Sequence, residues 1–183
     1  MYFKATAIAT LLSLAAAGPI ATREASCATN AVTTLNSLTD EVNGLKTTAQ
    51  GITLAGMFIK IPTLITGTTK TISTATLAAT NLRCDEELSE EDQKKVCAAA
   101  EAFVKADQGL VYVLIGKQGI INYGPFAAPL QAVTRQFESA TDSLVFGVLD
   151  AAPTCAGSVE ELVKTLDKDT QHLQELLEPS PQV

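Results

Sequence analysis

Between Ser89 and Gly119 the apolar residues fall at Val96, Ala99, Ala100, Phe103, Ala106, Leu110, Val113 and Leu114. That three-and-four spacing marks one face of a helix. Ser89, with Asp92 three residues on, reads as an N-cap, and Glu90 and Glu91 place further negative charge in the first turn. Gly116 and Gly119 read as the close of the helix, with Lys117 near its carbonyl end. At ~1.5 Å per residue the helix is roughly 40 Å long. Leu110–Ile115 is apolar nearly all round, which places this helix inside a bundle.

The same periodicity recurs on both sides. Cys27–Gln50 carries Val32, Leu35, Leu38, Val42 and Leu45 on one stripe and predicts a first helix. Gly51–Ile61 breaks the pattern and holds Ile52, Leu54, Met57, Phe58 and Ile59. Pro62 suits the first turn of a second helix running to about Leu82, with Leu64, Ile65, Ile72, Ala75, Ala79 and Leu82 inward. Its threonines and Gly67 give that helix weak intrinsic propensity, so packing must hold it. Gln118–Pro125 reads as a loop with Ile120, Ile121 and Tyr123. A fourth helix from about Phe126 turns Leu130, Val133, Phe137, Ala140, Leu144 and Val148 inward. After a turn at Ala151–Gly157, Ser158 and Glu161 read as a capping box for a fifth helix. Its face carries Val159, Leu162, Val163, Leu166, Leu173 and Leu177.

Short connections between long helices predict an all-α, up-and-down bundle of about five antiparallel helices. Alternating direction gathers the cysteines at one pole: Cys27, Cys84, Cys97 and Cys155. The opposite pole collects Met57, Phe58 and Ile59 from one loop and Ile120, Ile121, Tyr123 and Phe126 from another. Loops ordinarily face water and are polar, so two apolar loops at one end are the most informative feature of the chain.

Segment boundaries follow from composition. Residues 1–17 read as a signal peptide: Lys4, the apolar run Ala5–Leu14, then Ala15, Ala16 and Ala17 at the cleavage site. Residues 18–26 form a short N-terminal or pro-segment, 27–178 the bundle and 179–183 a polar tail. No hydrophobic tail for a lipid anchor follows the bundle. The expected location is extracellular, with cell-wall association open and no anchor signal. There an even cysteine count reads as two disulfides with three connectivities. Cys84 and Cys97 flank the turn between the second and third helices, so they are expected to pair, leaving Cys27 with Cys155.

A formal charge of −7 without a Lys/Arg stripe excludes a nucleic-acid partner. Beyond the N-terminus no segment is long and apolar enough to span a membrane. Catalysis has little to stand on. The one histidine, His172, lies off the apolar stripe of the last helix, and Glu86, Glu87, Glu90, Glu91 and Asp92 cluster where a helix dipole accounts for them. No metal or cofactor site is expected, there being no Cys-x-x-Cys pair and no phosphate-binding glycine loop. Binding of an apolar ligand or surface is what the apolar pole supports. The candidate contacts are Met57, Phe58, Ile59, Leu114, Ile120, Ile121, Tyr123 and Phe126, with Lys60 and Lys117 placed to face a carboxylate. An acyl chain gains about 0.8 kcal/mol per buried methylene, enough to outweigh the several kcal/mol lost on association.

The order of segments resembles the fungal hydrophobic surface-binding protein A family, which includes the cell-wall galactomannoproteins. The resemblance spans about Ala28–Leu177. It is carried by Thr34–Val42, the Thr/Ala-rich Ile72–Leu82, Ser89–Asp92, Leu110–Lys117 and Phe137–Leu149 with Pro153. It implies a secreted, all-helical, non-enzymatic protein that adsorbs to hydrophobic surfaces or holds fatty acids in a helical bundle. The alternative is a secreted interaction protein with a filled core, such as an effector or enzyme inhibitor acting on a wall or host component.

Overall fold

In a computed structural model, the structure describes residues 27–82, 84 and 87–178. The expected signal peptide, pro-segment and C-terminal tail lie outside them. Among the described residues there are five long helices: α1 (Cys27–Gln50), α2 (Met57–Asn81), α3 (Glu90–Tyr123), α4 (Ala127–Ala151) and α5 (Ala156–Leu176). A single 3₁₀ turn, Pro153–Cys155, leads into α5. No described helix is long and apolar enough to cross a membrane.

α3 is the centre, because its buried positions come in adjacent pairs: Ala99 with Ala100, Phe103 with Val104, Ala106 with Asp107, and Leu110 with Val111. Successive helical residues point about 100° apart, so such pairs bury more than one face and demand neighbours on several sides. α1 and α5 flank α3 in one layer, while α2 and α4 pack together in a second. Consecutive helices are antiparallel, as the alternation predicts, and the most extensive contacts join the parallel pairs α1–α3, α2–α4 and α3–α5. Polar ties fix these directions. Lys117 Nζ donates to the Ile52 carbonyl (2.9 Å), bringing the ends of α1 and α3 together. Asn122 Nδ2 donates to the Leu176 carbonyl (2.8 Å), doing the same for α3 and α5.

Local chemistry explains several boundaries. Ser89 caps α3 as expected, its Oγ accepting from the Asp92 amide at 3.2 Å. α2 accommodates its threonines because Thr63, Thr68, Thr69, Thr71, Thr74 and Thr76 each donate to the carbonyl four residues back, while packing of Met57, Ile61, Leu64, Ala75 and Ala78 in the core holds the helix. Thr68 and Thr71 can therefore be buried without an orphaned hydroxyl.

Three expected boundaries are corrected. α2 starts at Met57 rather than Pro62, since one more turn buries Met57 and Ile61 together. Pro62 stands on the exposed side, where losing its amide donor costs least. α3 runs through Gly116 and Gly119 to Tyr123. Each glycine costs about 1 kcal/mol relative to Ala in a helix, but continuing the helix buries Ile121 completely and half-buries Ile120, and full burial of one such side chain returns about 2 kcal/mol. The capping box at Ser158 does not form. α5 follows directly from the 3₁₀ turn with Cys155 at its N-cap, so Ser158 lies inside the first turn and donates back to the Cys155 carbonyl (3.4 Å).

The expected pairing of the cysteines is also corrected. All four do lie at one pole, but the disulfides are Cys27–Cys84 (Cα–Cα 5.8 Å) and Cys97–Cys155 (5.1 Å). α2 and α3 are consecutive yet barely touch. The connection between them crosses from one layer to the other, leaving Cys84 beside the start of α1, while Cys97, two turns into α3, faces the turn before α5.

Each bridge closes a span of nearly sixty residues, 57 and 58 by sequence separation. On the chain-entropy model each contributes about 4 kcal/mol. Non-reducing peptide mapping is expected to recover the Cys27–Cys84 and Cys97–Cys155 peptides, and reduction is expected to lower the melting temperature by well over ten degrees. A Cys84–Cys97 peptide would contradict the layer arrangement.

Candidate functional site

The pole opposite the disulfides is assembled from two connections, α1 to α2 and α3 to α4. α1 ends at Gln50, and the chain turns through Gly51–Gly56, where the Gly56 amide bonds the Thr53 carbonyl and Thr53 Oγ1, both at 3.1 Å. The first turn of α2 then points Met57 and Ile61 into the core and leaves Phe58 and Ile59 on the outside. At the other connection the last turn of α3 buries Ile121 and exposes Tyr123. Phe126, half-buried at the head of α4, meets Phe58 edge-on, with ring centroids 5.4 Å apart. Gly124 lies between these parts. A Cβ there would fall 2.5 Å from Met57 Cε and 2.8 Å from Phe126 Cδ2, so any larger residue would have to displace the Met57 and Phe126 side chains packed against it.

The expected contact residues thus divide into two sets. Met57, Leu114 and Ile121 are buried in the core, and Ile120 and Phe126 are half-buried against it. Phe58, Ile59 and Tyr123 stand in solvent, 65%, 72% and 80% exposed. Leu54, from the same stretch but not among the expected contacts, joins them at 60%. Of the two lysines, Lys60 is exposed, and Lys117 is engaged with the Ile52 carbonyl at the end of α1. His172 is exposed on α5, as expected of a surface histidine.

Two further features lie on the α4 side of the bundle. Phe146, 73% exposed, separates a groove of about 530 Å³ lined by Ala79, Thr80, Ser143 and Gly147 from one of about 240 Å³ lined by Val145, Leu149 and Val163. Beneath them α3, α4 and α5 enclose a void of about 10 Å³, the room of roughly one water molecule. Its walls include Asp107, Glu138, Asp142 and Asp167 together with Thr134, Thr141 and Thr170. Asp107 is fully enclosed and accepts a hydrogen bond from Thr141 Oγ1 at 3.1 Å. Burial pushes its carboxyl up to about 7, Thr141 opposing and the charges of Glu138 and Asp142 adding to the rise. Glu138, Asp142 and Asp167 are raised as well, burial again being the main cause. Sequence patterning held a signal for this cluster: Phe103, Asp107, Leu110 and Leu114 form a single helical stripe, and so do Leu130, Thr134, Phe137, Thr141 and Leu144.

The two sets at the apolar pole differ in what they tolerate. Ile121→Asp is expected to destabilise the protein by several kcal/mol, because the new carboxylate has no partner in the core. Ile59→Asp, at a solvated position, is expected to change stability by less than about 1 kcal/mol. Thermal melts of the two variants make the comparison, and equal losses would mean that Ile59 is not free at the surface.

No protein-family profile matches the chain, and no curated protein matches it. Among solved structures, the fold is similar to that of AfMP4p, determined in complex with palmitic acid. The TM-score is 0.76 and the sequence identity 14%, with 82% of this chain and 99% of that one covered. At that identity the likeness establishes a shared helical architecture.

Proposed function

We propose that the protein is a secreted, non-catalytic binder of lipids, engaging an acyl chain or a hydrophobic surface through the apolar pole. The observation that carries this reading is the exposure of Leu54, Phe58, Ile59 and Tyr123 together at one end of the bundle. Large apolar side chains grouped in this way mark an interaction surface rather than the scattered exposure normal for a soluble domain. Met57, Leu114, Ile120, Ile121 and Phe126 back the contact rank from below, and Lys60 is the cation available to an acid headgroup. Lys117 is already tied to the Ile52 carbonyl, which fixes where its ammonium sits.

Three further considerations support it. AfMP4p, with the same architecture, was crystallised with palmitic acid. The resemblance to the hydrophobic surface-binding family points to the same class of ligand. Two disulfides fit a protein made for an oxidising compartment. The void of about 10 Å³ between α3, α4 and α5 is far too small for an acyl chain, which favours engagement at the pole over carriage inside that part of the bundle. A packed core also suits the second reading, a secreted interaction protein directed at a wall or host component, for which the same apolar end would be the contact surface.

The double variant Phe58→Asp, Ile59→Asp tests the pole directly. Placing two carboxylates where an apolar ligand must lose its water costs several kcal/mol. Displacement of a fluorescent fatty acid is expected to weaken by tenfold or more, and adsorption to octyl-coated beads to fall in parallel, with the melting temperature within a few degrees of the parent. Glu90→Ala, at the disulfide pole, is the control and should bind like the parent. A double variant that stays folded and binds unchanged places the contact elsewhere. Loss of bead adsorption with no fatty-acid binding by the parent favours the interaction-protein reading.

A further inference from the structure

On α4, Asp142, Phe146 and Asp150 follow one another at intervals of four residues, and all three are exposed. Side chains so spaced share one face of a helix, which sets a carboxylate about 6 Å along the axis on either side of the ring. This row borders the groove of about 530 Å³ between α2 and α4. The rest of the groove's lining is small: Ala79 and Thr80 from α2, Ser143 and Gly147 from α4. At Gly147 the two helices approach so closely that a Cβ would lie 3.3 Å from the Ala79 carbonyl oxygen. Phe146 therefore stands as a wall above a low floor. Leu77, also exposed, is the neighbour of Thr80 one turn back and widens the apolar surface on the α2 side.

Charge selects what this face can take. Among the described residues the ion pairs are Lys95 with Glu91 and Asp92, Lys105 with Glu101, and Arg135 with Glu178, and none involves Asp142 or Asp150. On the far side of Phe146 the charge is mixed, with Glu160 and Lys164 one turn apart on α5. The α2–α4 groove has two carboxylates and no basic side chain on its lining. A fatty acid would bring a third carboxylate to that pair. A second copy of this chain would bring the same pair again, with only Lys164 of each copy to offset it. A basic partner neutralises both acids, and the formal charge of −7 on the chain draws such a partner in from a distance.

We propose that the α2–α4 groove beside Phe146 is a docking surface for a basic amphipathic helix of a partner protein. A helix seats in the furrow between two others, its apolar side chains on the floor and its charged ones at the rim. Basic residues two turns apart on it span the ~12 Å between Asp142 and Asp150. Apolar residues between them pack against Phe146 and over Ala79 and Gly147. An arginine paired with either carboxylate also reaches the ring, where its guanidinium stacks on the aromatic face. Phe146 lies a little over one turn before α4 ends at the disulfide pole. The surface is thus separate from Phe58 and Ile59 at the apolar pole, and the two can be occupied independently.

Fluorescence anisotropy of a labelled peptide of leucine and arginine at amphipathic helical spacing measures the docking. The parent is expected to bind it, and to bind roughly tenfold more weakly both the same residues in scrambled order and the peptide with glutamate for arginine. Phe146→Ser is expected to weaken binding by roughly tenfold or more, as is the pair Asp142→Asn, Asp150→Asn. Melting temperatures should stay near that of the parent, since all three positions are exposed. Asp40→Asn with Glu175→Gln removes the same charge from exposed positions on α1 and at the end of α5, and should bind within about twofold of the parent. Phe58→Ser with Ile59→Ser, at the apolar pole, should do the same. A Phe146→Ser variant that binds like the parent, or equal losses from the two charge pairs, overturns the docking surface. So does a parent that sediments as a dimer while Phe146→Ser is a monomer, because a second copy then covers the face. Protection of the Phe146 region from hydrogen exchange by palmitate and not by the peptide overturns it too, in favour of a lipid.

Discussion

Burial of α3 on more than one face is the constraint from which the rest of the fold follows. A helix with one apolar stripe needs one neighbour, but α3 buries Phe103 with Val104 and Leu110 with Val111 and so needs them on several sides. α1 and α5 supply two and α4 a third, which leaves α2 packed on α4 and α1 instead of on the helix that follows it. The connection after α2 must then change layers. That crossing decides the disulfides: Cys84 stays with Cys27 at the start of α1, and Cys97 is free to meet Cys155.

Periodicity made the helices legible because each presents a stripe of Leu, Val, Ile or Ala. The bounds of α1, Cys27–Gln50, are those the stripe predicts. Its limits appear where long-range packing overrides local preference. Gly116 and Gly119 are poor helix residues, yet α3 continues because Ile121, two residues past them, reaches the core. Pro62 suits a helix start, yet α2 begins a turn earlier because Met57 fits under Gly124. The cysteine pairing was illegible for a related reason: which helices lie side by side depends on how many faces α3 buries, and spacing along the chain carries no record of it. At the apolar pole the residue types were legible but their depth was not. Phe58 and Ile121 read alike in sequence, and only the helical phase of α2 and of the extended α3 sends one outward and the other inward.

The two ends of the bundle are secured by different means. At one, covalent bridges tie α1 to α2 and α3 to the turn before α5, so those ends cannot separate without reduction. At the other, cohesion comes from Met57, Ile121 and Phe126 closing around Gly124, helped by Lys117 on the Ile52 carbonyl. Apolar packing of this kind can rearrange locally at modest cost, while a disulfide cannot. An end that both exposes apolar side chains and is held without covalent bonds is suited to meeting ligands of varied shape, and the bridged end keeps the helices in register while it does so.

The placement of polar residues within the bundle adds a second asymmetry. α2 carries its buried hydroxyls, Thr68 and Thr71, as closed local units, each returned to a carbonyl of its own helix. Such residues are indifferent to pH and to the position of neighbouring helices. Among α3, α4 and α5, Thr134 closes on its own helix in the same way, but other polar groups reach between helices, buried Thr141 to Asp107 across α4 and α3, and half-buried Gln174 to Glu138 across α5 and α4. Their energies depend on helix separation and, for the carboxyls, on protonation. The two-layer arrangement thus has one part whose buried hydroxyls are self-contained and another in which some polar contacts span two helices, so that their strength depends on how closely those helices approach.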